Sequence, residues 1–370
     1  MKITDLTITM FAWDDIPARQ FAKHTGKMAG GRSELGLVTV HTDEGVEGHA
    51  FLGSSMRGAN FDAATIIRFL KPLLIGQNPL DRERLYAAMW ARGRNTTPRC
   101  IGAVDIALWD LGGKIANLPI HRMLGSFRDA VPAYASSAVL PSKEAYAEEA
   151  LRIKASGLTA YKMHPPTIWE QDIEVCRHVR KAVGDGYRLM LDSTWSYNYV
   201  EALRVGRVLE ELDFYWYEDP LDADDITNYV KLREKLDIPI MATEYSPGGF
   251  QAYATWITMQ ATDFLRADVA VKGGITALIK IAHLAEAFHM NLEVHHGGNS
   301  LNNVANLHVM LAIPNTEYFE ILLPDATQKY GLAQDLYPDE QGMIRCPEGP
   351  GLGAQIDFEL IERKKTGVLS

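Results

Sequence analysis

Cysteine is scarce in this chain: Cys100, Cys176 and Cys346 are the only three in 370 residues, too scattered for a disulfide framework or a zinc cluster. A reducing cytoplasm suits them. Runs of lysine or arginine are missing and the formal net charge is -10, which argues against nucleic acid or an anionic membrane as a partner. No uninterrupted apolar segment is long enough to span a bilayer, and the opening MKITDLTITMF alternates like a strand, without the basic region and apolar run of a signal peptide. Neither secretion nor membrane insertion is expected. A glycine-rich phosphate cradle is also lacking, which disfavours phosphorylated substrates. Low-complexity tracts are absent, and a 47% hydrophobic content is enough to bury a sizeable core.

What the chain does contain is a series of short apolar, β-branched or aromatic runs, each ending in a polar residue. They read AYKMH, LMLDS, YWYED, MATEY, FLRAD and LEVHH, with YFEIL closing the series. Lys162, Asp192, Glu218, Glu244, Asp268, His296 and Glu320 fall 24 to 30 residues apart. One strand, one helix and two short loops consume about that length in a barrel of roughly 250 residues. Parallel strands closing into a barrel bring their C-terminal ends to one face, so Asp192, Glu218 and Glu244 are expected to meet there. Three carboxylates cannot stay ionised side by side without a cation, and an all-oxygen set suits a hard ion such as Mg²⁺. Any one of them alone reads more readily as a salt bridge or a helix cap. The regular spacing of all three points to a metal.

At 370 residues the chain exceeds the roughly 250 to 300 at which single cores stop growing, so a barrel plus a smaller domain is the natural division. Residues 3 to 11 read as a strand, and LGLVTVHTDEGVEGHAFL holds two more around the turn Asp43-Glu44-Gly45. FDAATIIRFLKPLL, DRERLYAAMWARG and IGAVDIALWDLGGKIANLPIHRML carry apolar residues at helical spacing. Residues 1–127 are thus expected to form an α+β capping domain, whose polar segments 14–32 and 51–60 are placed to cover the barrel mouth. From Val131 the pattern becomes alternating strands and helices, eight strands in all, which predicts a (β/α)8-type barrel over residues 128–324. The segment 325–370 is expected to pack back on the capping domain.

Several of these stretches resemble the mandelate racemase branch of the enolase superfamily. GAVDIALWDLGGKIANLPIHRMLG is similar to the segment that joins that family's capping domain to its barrel. LMLDS, YWYEDP and MATEYSP are similar to its three metal-ligand strands, and RADVAVKGGIT followed by EVHHGG to its Asp and His strands. The resemblance covers essentially the whole chain. It implies a homo-oligomer that abstracts the proton α to a carboxylate, with Mg²⁺ on Asp192, Glu218 and Glu244 neutralising the charge that develops.

The same resemblance pairs His296 with Asp268, a carboxylate that orients the imidazole and fixes its tautomer, with His295 as the alternative partner. On the opposite side stand Lys162 and His164, where the family's common Lys-x-Lys reads Lys-x-His. An imidazole needs less adjustment than a lysine to act as a base at neutral pH. Lys162 is assigned to the substrate carboxylate or to proton transfer, Glu320 to developing oxygen charge, and His24 and His295 to substrate contacts. LDSTWS and YFEILLPDA resemble the dehydratase side of the branch. The expected activity is therefore Mg²⁺-dependent dehydration of a sugar acid or related hydroxy acid to a 2-keto-3-deoxy acid. A racemase or epimerase of a 2-hydroxy acid is the second reading, and a non-catalytic barrel that binds acidic sugars is the third.

Overall fold

The computed structural model describes residues 1–28, 30–246 and 248–370. The N-terminal strands are β1 (Ile3–Ile16), β2 (Gly31–Thr42) and β3 (Glu47–Leu52). Ile3, Leu6, Ile8 and Met10 are buried and alternate with more exposed residues, as a half-covered antiparallel strand requires. The strand outruns its predicted end by five residues, because Ala12, Trp13 and Ile16 are buried as well. The helix Pro98–Ala116 covers the sheet. Thr97 caps it by accepting the Cys100 N–H, Pro98 sits where no donor is needed, and Asn117 ends it in the left-handed region. Its approach to β3 is so close that a Cβ on Gly48 would stand 2.1 Å from the Ala107 carbonyl oxygen. The predicted helix around residues 61–74 is instead composite, with a π-helical stretch Ile66–Leu70 between short α-helical turns.

Eight parallel strands follow: β4 (Ala130–Ser136), β5 (Ala160–Met163), β6 (Arg188–Asp192), β7 (Trp216–Glu218), β8 (Ile240–Ala242), β9 (Phe264–Ala267), β10 (Asn291–Val294) and β11 (Phe319–Leu322). Hydrogen bonding runs in the order β10-β9-β8-β7-β6-β5-β4-β11, a near-closed barrel whose path ends at β10 and β11. Side chains bridge that last seam. The Glu293 carboxylate accepts the N–H groups of Glu317 and Tyr318, and Glu320 accepts the His296 N–H. Helices such as Lys143–Ala155, Tyr199–Glu211 and Ser300–Ala312 are started by Ser142, Asn198 and Asn299, whose side chains accept first-turn N–H groups.

After the barrel, β12 (Met343–Arg345) pairs antiparallel with β4, while β13 (Lys365–Leu369) joins the edge of the N-terminal sheet beside β1. Among the described residues no helix is long and apolar enough to cross a membrane.

Candidate active site

The barrel interior is built in steps of two residues, because successive strand side chains point to opposite faces. Ala160, Met190, Trp216 and Tyr318 pack with Tyr134 and Met241 into an apolar cluster. Two positions further along their strands stand Lys162, Asp192, Glu218 and Glu320, so each polar residue rests on the apolar one before it. Strand β8 departs from this parity. Thr243 takes a φ of 90°, and that backbone break allows Glu244 to join the site although Met241 faces the inner cluster.

Glu218, Asp219 and Glu244 offer carboxylate oxygens within 4.8 Å of one another. Asp192 is tied to Glu218 through Lys162, whose Nζ lies 3.2 Å from Asp192 Oδ2, 2.8 Å from Glu218 Oε2 and 2.8 Å from Glu320 Oε1. Arg266 is the second buried cation, with Nε 2.8 Å from Glu218 Oε1 and Nη2 2.6 Å from Glu320 Oε2. Burial and Arg266 push the Lys162 ammonium down, but Glu218 and Glu320 outweigh them and hold it well above the ordinary lysine value. Burial opposes the Glu320 charge, yet Arg266 and Lys162 hold that carboxyl well below its usual range.

Glu244 and Asp219 show the opposite shift. Burial, with Asp192 and Glu218 adding to it, raises Glu244 to about 7, and burial with Glu244 and Asp192 raises Asp219 well above its normal value. Asp192, Glu218, Asp219, Glu244, Asp268 and Glu320 thus converge around two buried cations, Lys162 and Arg266, with Arg99 and Lys272 acting on Asp268 from further out. This excess of negative oxygen donors fits a hard divalent cation.

His164 and the His295–Asp268 pair complete the site. The His164 Nδ1–H donates to the Ser137 carbonyl at 2.6 Å, leaving Nε2 3.0 Å from Asp192 Oδ2. The edge of Phe21 covers the ring at 5.0 Å. Nδ1 of His295 lies 2.5 Å from Asp268 Oδ2, and its Nε2 lies 3.3 Å from Glu244 Oε1. Burial lowers the basicity of His295, but Glu244 and Asp268 outweigh it and raise the imidazole to about 9. Asp268 also accepts the Val271 N–H as the cap of a short helix, so its carboxylate is fixed from two sides.

Two expectations are corrected here. His296 is not the partner of Asp268: His295 is. Glu293 faces the seam inside the barrel, and His295, two residues on, shares its side; His296 follows Val294 to the opposite side. There it packs on Phe319 with ring centroids 4.0 Å apart, its Nδ1 lies 3.1 Å from the carbonyl of Val294, and burial pushes it down to about 3. His24 does not line the cavity. Its side chain is exposed with Nδ1 3.2 Å from Ser196 Oγ, while Phe21, Thr25 and Met28 of the same segment face inward.

Sequence reasoning overlooked Arg266 and Asp219. A charged residue inside the apolar run FLRAD, two positions before Asp268, was the available signal for the first. The second carboxylate of YWYEDP was the signal for the other. Lys272 is also buried; its Nζ donates to the Ser246 carbonyl at 2.9 Å, and burial lowers it to about 8.

These groups open on a cavity of about 230 Å³ lined by His164, Asp192, Glu244, His295 and Glu320 and roofed from the N-terminal domain. The chain matches the family model described as "Mandelate racemase / muconate lactonizing enzyme, N-terminal domain" over residues 7–125 and "Enolase C-terminal domain-like" over residues 145–360. It belongs to the mandelate racemase/muconate lactonizing enzyme family. Among its relatives, the arabinonate dehydratase of Saccharolobus solfataricus is 29% identical over 353 residues, spanning 90% of this chain and 91% of the other. The L-talarate/galactarate dehydratase of Salmonella typhimurium is 32% identical over 306 residues, 78% of this chain and 73% of the other. A D-glucarate dehydratase structure from Agrobacterium tumefaciens, complexed with magnesium, superimposes with a TM-score of 0.89 at 33% identity, covering 99% of this chain and 100% of that one.

Proposed function

We propose that this enzyme is a hydro-lyase that dehydrates a sugar acid or a related 2,3-dihydroxy acid to a 2-keto-3-deoxy acid. The observation that carries the reading is the pair of imidazoles on one cavity, His164 and the Asp268-held His295, above the acidic cluster. The named relatives support the reaction class, being dehydratases of sugar acids. Asp192, Glu218 and Glu244 would hold Mg²⁺, which supplies Lewis-acid neutralisation of the charge that develops on the substrate carboxylate.

The chain's own groups divide the proton work. His164 takes the proton from C2 at Nε2, since its Nδ1–H is committed to the Ser137 carbonyl. The C2–H electron pair first delocalises into the substrate carboxylate and then becomes the C2–C3 double bond as the C3–O bond breaks. His295 donates a proton from Nε2 to the departing hydroxyl, which leaves as water, and Asp268 stabilises the charged imidazole before that transfer. The resulting enol takes a proton at C3, gives up its O–H proton and becomes the keto acid. Lys162 and Arg266 hold Glu218 and Glu320 in place from beneath, and Glu320 also fixes the backbone N–H at His296.

The test is a screen of the purified protein against aldonic and aldaric acids, detecting 2-keto acids. Mg²⁺-dependent keto acid that chelation abolishes and Mg²⁺ restores is expected. Exchange of the α-proton without elimination would replace this reading with a racemase or epimerase.

A further inference from the structure

The cavity has two unlike ends. Its inner end carries His164, Asp192, Glu244, His295 and Glu320, whereas the remaining wall is made by Phe21, Met28, Met56, Trp195, Tyr245 and Leu322. The hydroxyls in this wall are already engaged with the protein. Thr25 donates to the Ala22 carbonyl at 2.9 Å, Thr194 donates to the Phe21 carbonyl at 3.3 Å, and Tyr245 accepts from Arg99 at 3.0 Å. Among the described lining residues, the far end therefore offers a substrate two thioethers, aromatic faces and a leucine, with the unpartnered Trp195 indole N–H and the Tyr245 O–H as its polar handles.

We infer that the acid taken by this site carries an apolar substituent, alkyl or aryl, at its β-carbon, rather than a chain of further hydroxyls. This rests on the dehydration reading above. The inner end accounts for the carboxylate, the α-proton and the β-hydroxyl, and beyond it the wall is mostly apolar, its uncommitted polar groups among the described side chains being the Trp195 indole N–H, which has no partner, and the Tyr245 O–H. A chain of several hydroxyls carries more polar groups than this wall can partner, and an apolar pocket discriminates against an added hydroxyl by up to about a hundredfold. A volume of about 230 Å³ also suits a small acid. Arg99 stands behind the wall with its guanidinium on the Tyr245 hydroxyl, and Arg19 and Arg32 line a separate cavity on the other side of Met28 and Met56. A distal carboxylate reaches Arg19 and Arg32 only by passing those two side chains.

The experiment compares kcat/KM, with Mg²⁺ present, for two sets of acids of matched C2 and C3 configuration. One set is 2,3-dihydroxy-3-phenylpropanoate and 2,3-dihydroxyheptanoate; the other is five- and six-carbon aldonates and aldarates. Keto-acid formation favouring the apolar set by about tenfold or more is expected. Met56→Gln, at a position 54% exposed and tolerant of a polar side chain, should narrow that ratio. Preference for the polyhydroxy acids overturns the inference while leaving the dehydratase reading intact, and preference for the aldarates alone points to Arg19 and Arg32. If neither set yields keto acid, the dehydratase reading fails, and α-proton exchange in D₂O decides the inference by itself. Faster exchange with the apolar set sustains it; faster exchange with the polyhydroxy set, or none with either, overturns it.

Discussion

His295 and His296 are covalent neighbours in opposite electrostatic states. Glu244 and Asp268 hold the first near 9 against the pull of burial, whereas burial, with His295 and Arg266 adding to it, drives the second to about 3. Their roles should separate cleanly on mutation. His295→Asn is expected to lower keto-acid formation by about 10²- to 10⁴-fold, the usual worth of a positioned acid or base. His296→Asn should cost thermal stability, because the ring packs on Phe319 inside the protein, but it should leave most of the kcat of the folded enzyme. Thermal melts and kinetics on both variants check this, and a His296 variant that folds normally yet loses turnover would contradict it. The pair also shows what the sequence did and did not disclose. LEVHH announced a functional histidine, but choosing between the two required noticing that Glu293 faces inward and that a strand repeats every second residue. Arg266 was hidden for a related reason: inside FLRAD it reads as an interruption of the apolar run, and only the closed barrel reveals Glu218 and Glu320 as its partners.

The helix Pro98–Ala116 connects sheet and barrel, and Asp105 is its fastening to the barrel side. The carboxylate accepts the Thr276 N–H at 2.9 Å and the Thr276 hydroxyl at 2.6 Å, at the start of the helix Ile275–Ala287. Gly274 makes room for this contact, since a Cβ there would stand 2.3 Å from Asp105 Oδ2. Burial raises Asp105 to about 7. An acid whose folded value is raised contributes its stability below its unfolded value, about 3.9, and loses it as pH rises toward the folded value. Stability should therefore fall between pH 4 and about 7, and Asp105→Asn should flatten that fall, adding on the order of 2 kcal/mol at pH 8 and little at pH 4. Denaturant titrations across this range check it; an unchanged slope would contradict it. The barrel strands and this helix were legible from residue periodicity alone. The π-helical stretch Ile66–Leu70 and the turned backbone at Thr243 were not, because both are local departures that the surrounding packing imposes.

The N-terminal domain roofs the cavity of the candidate site. Its segment after β1 is fastened to the barrel loops by hydrogen bonds from the Val139 N–H to the Gln20 carbonyl, from the Thr194 hydroxyl to the Phe21 carbonyl, and from the Lys23 N–H to Thr167 Oγ1. Phe21 thereby sits over His164. Phe21→Ala should raise KM and lower kcat/KM by about tenfold or more, without unfolding the barrel, because water then reaches the imidazole and the apolar wall loses the ring that covers it. Steady-state kinetics with circular dichroism on the same sample would show it, and unchanged kinetics would contradict it. That the N-terminal loops cover the mouth was readable from their position between strands. Which of their side chains face the substrate was not, as His24 shows by turning to Ser196.

The division of labour between the two imidazoles is the heart of this account. The most direct measurement follows the α-proton by ¹H NMR in D₂O, with the acid that the substrate screen identifies, in His164→Asn and His295→Asn. On the proposed roles, replacing His295 leaves the C3 hydroxyl without a proton donor and His164 intact. α-Proton exchange without keto acid is expected in His295→Asn, and neither exchange nor keto acid in His164→Asn. Exchange that survives the loss of His164 and vanishes with His295 would contradict this and reverse the two roles.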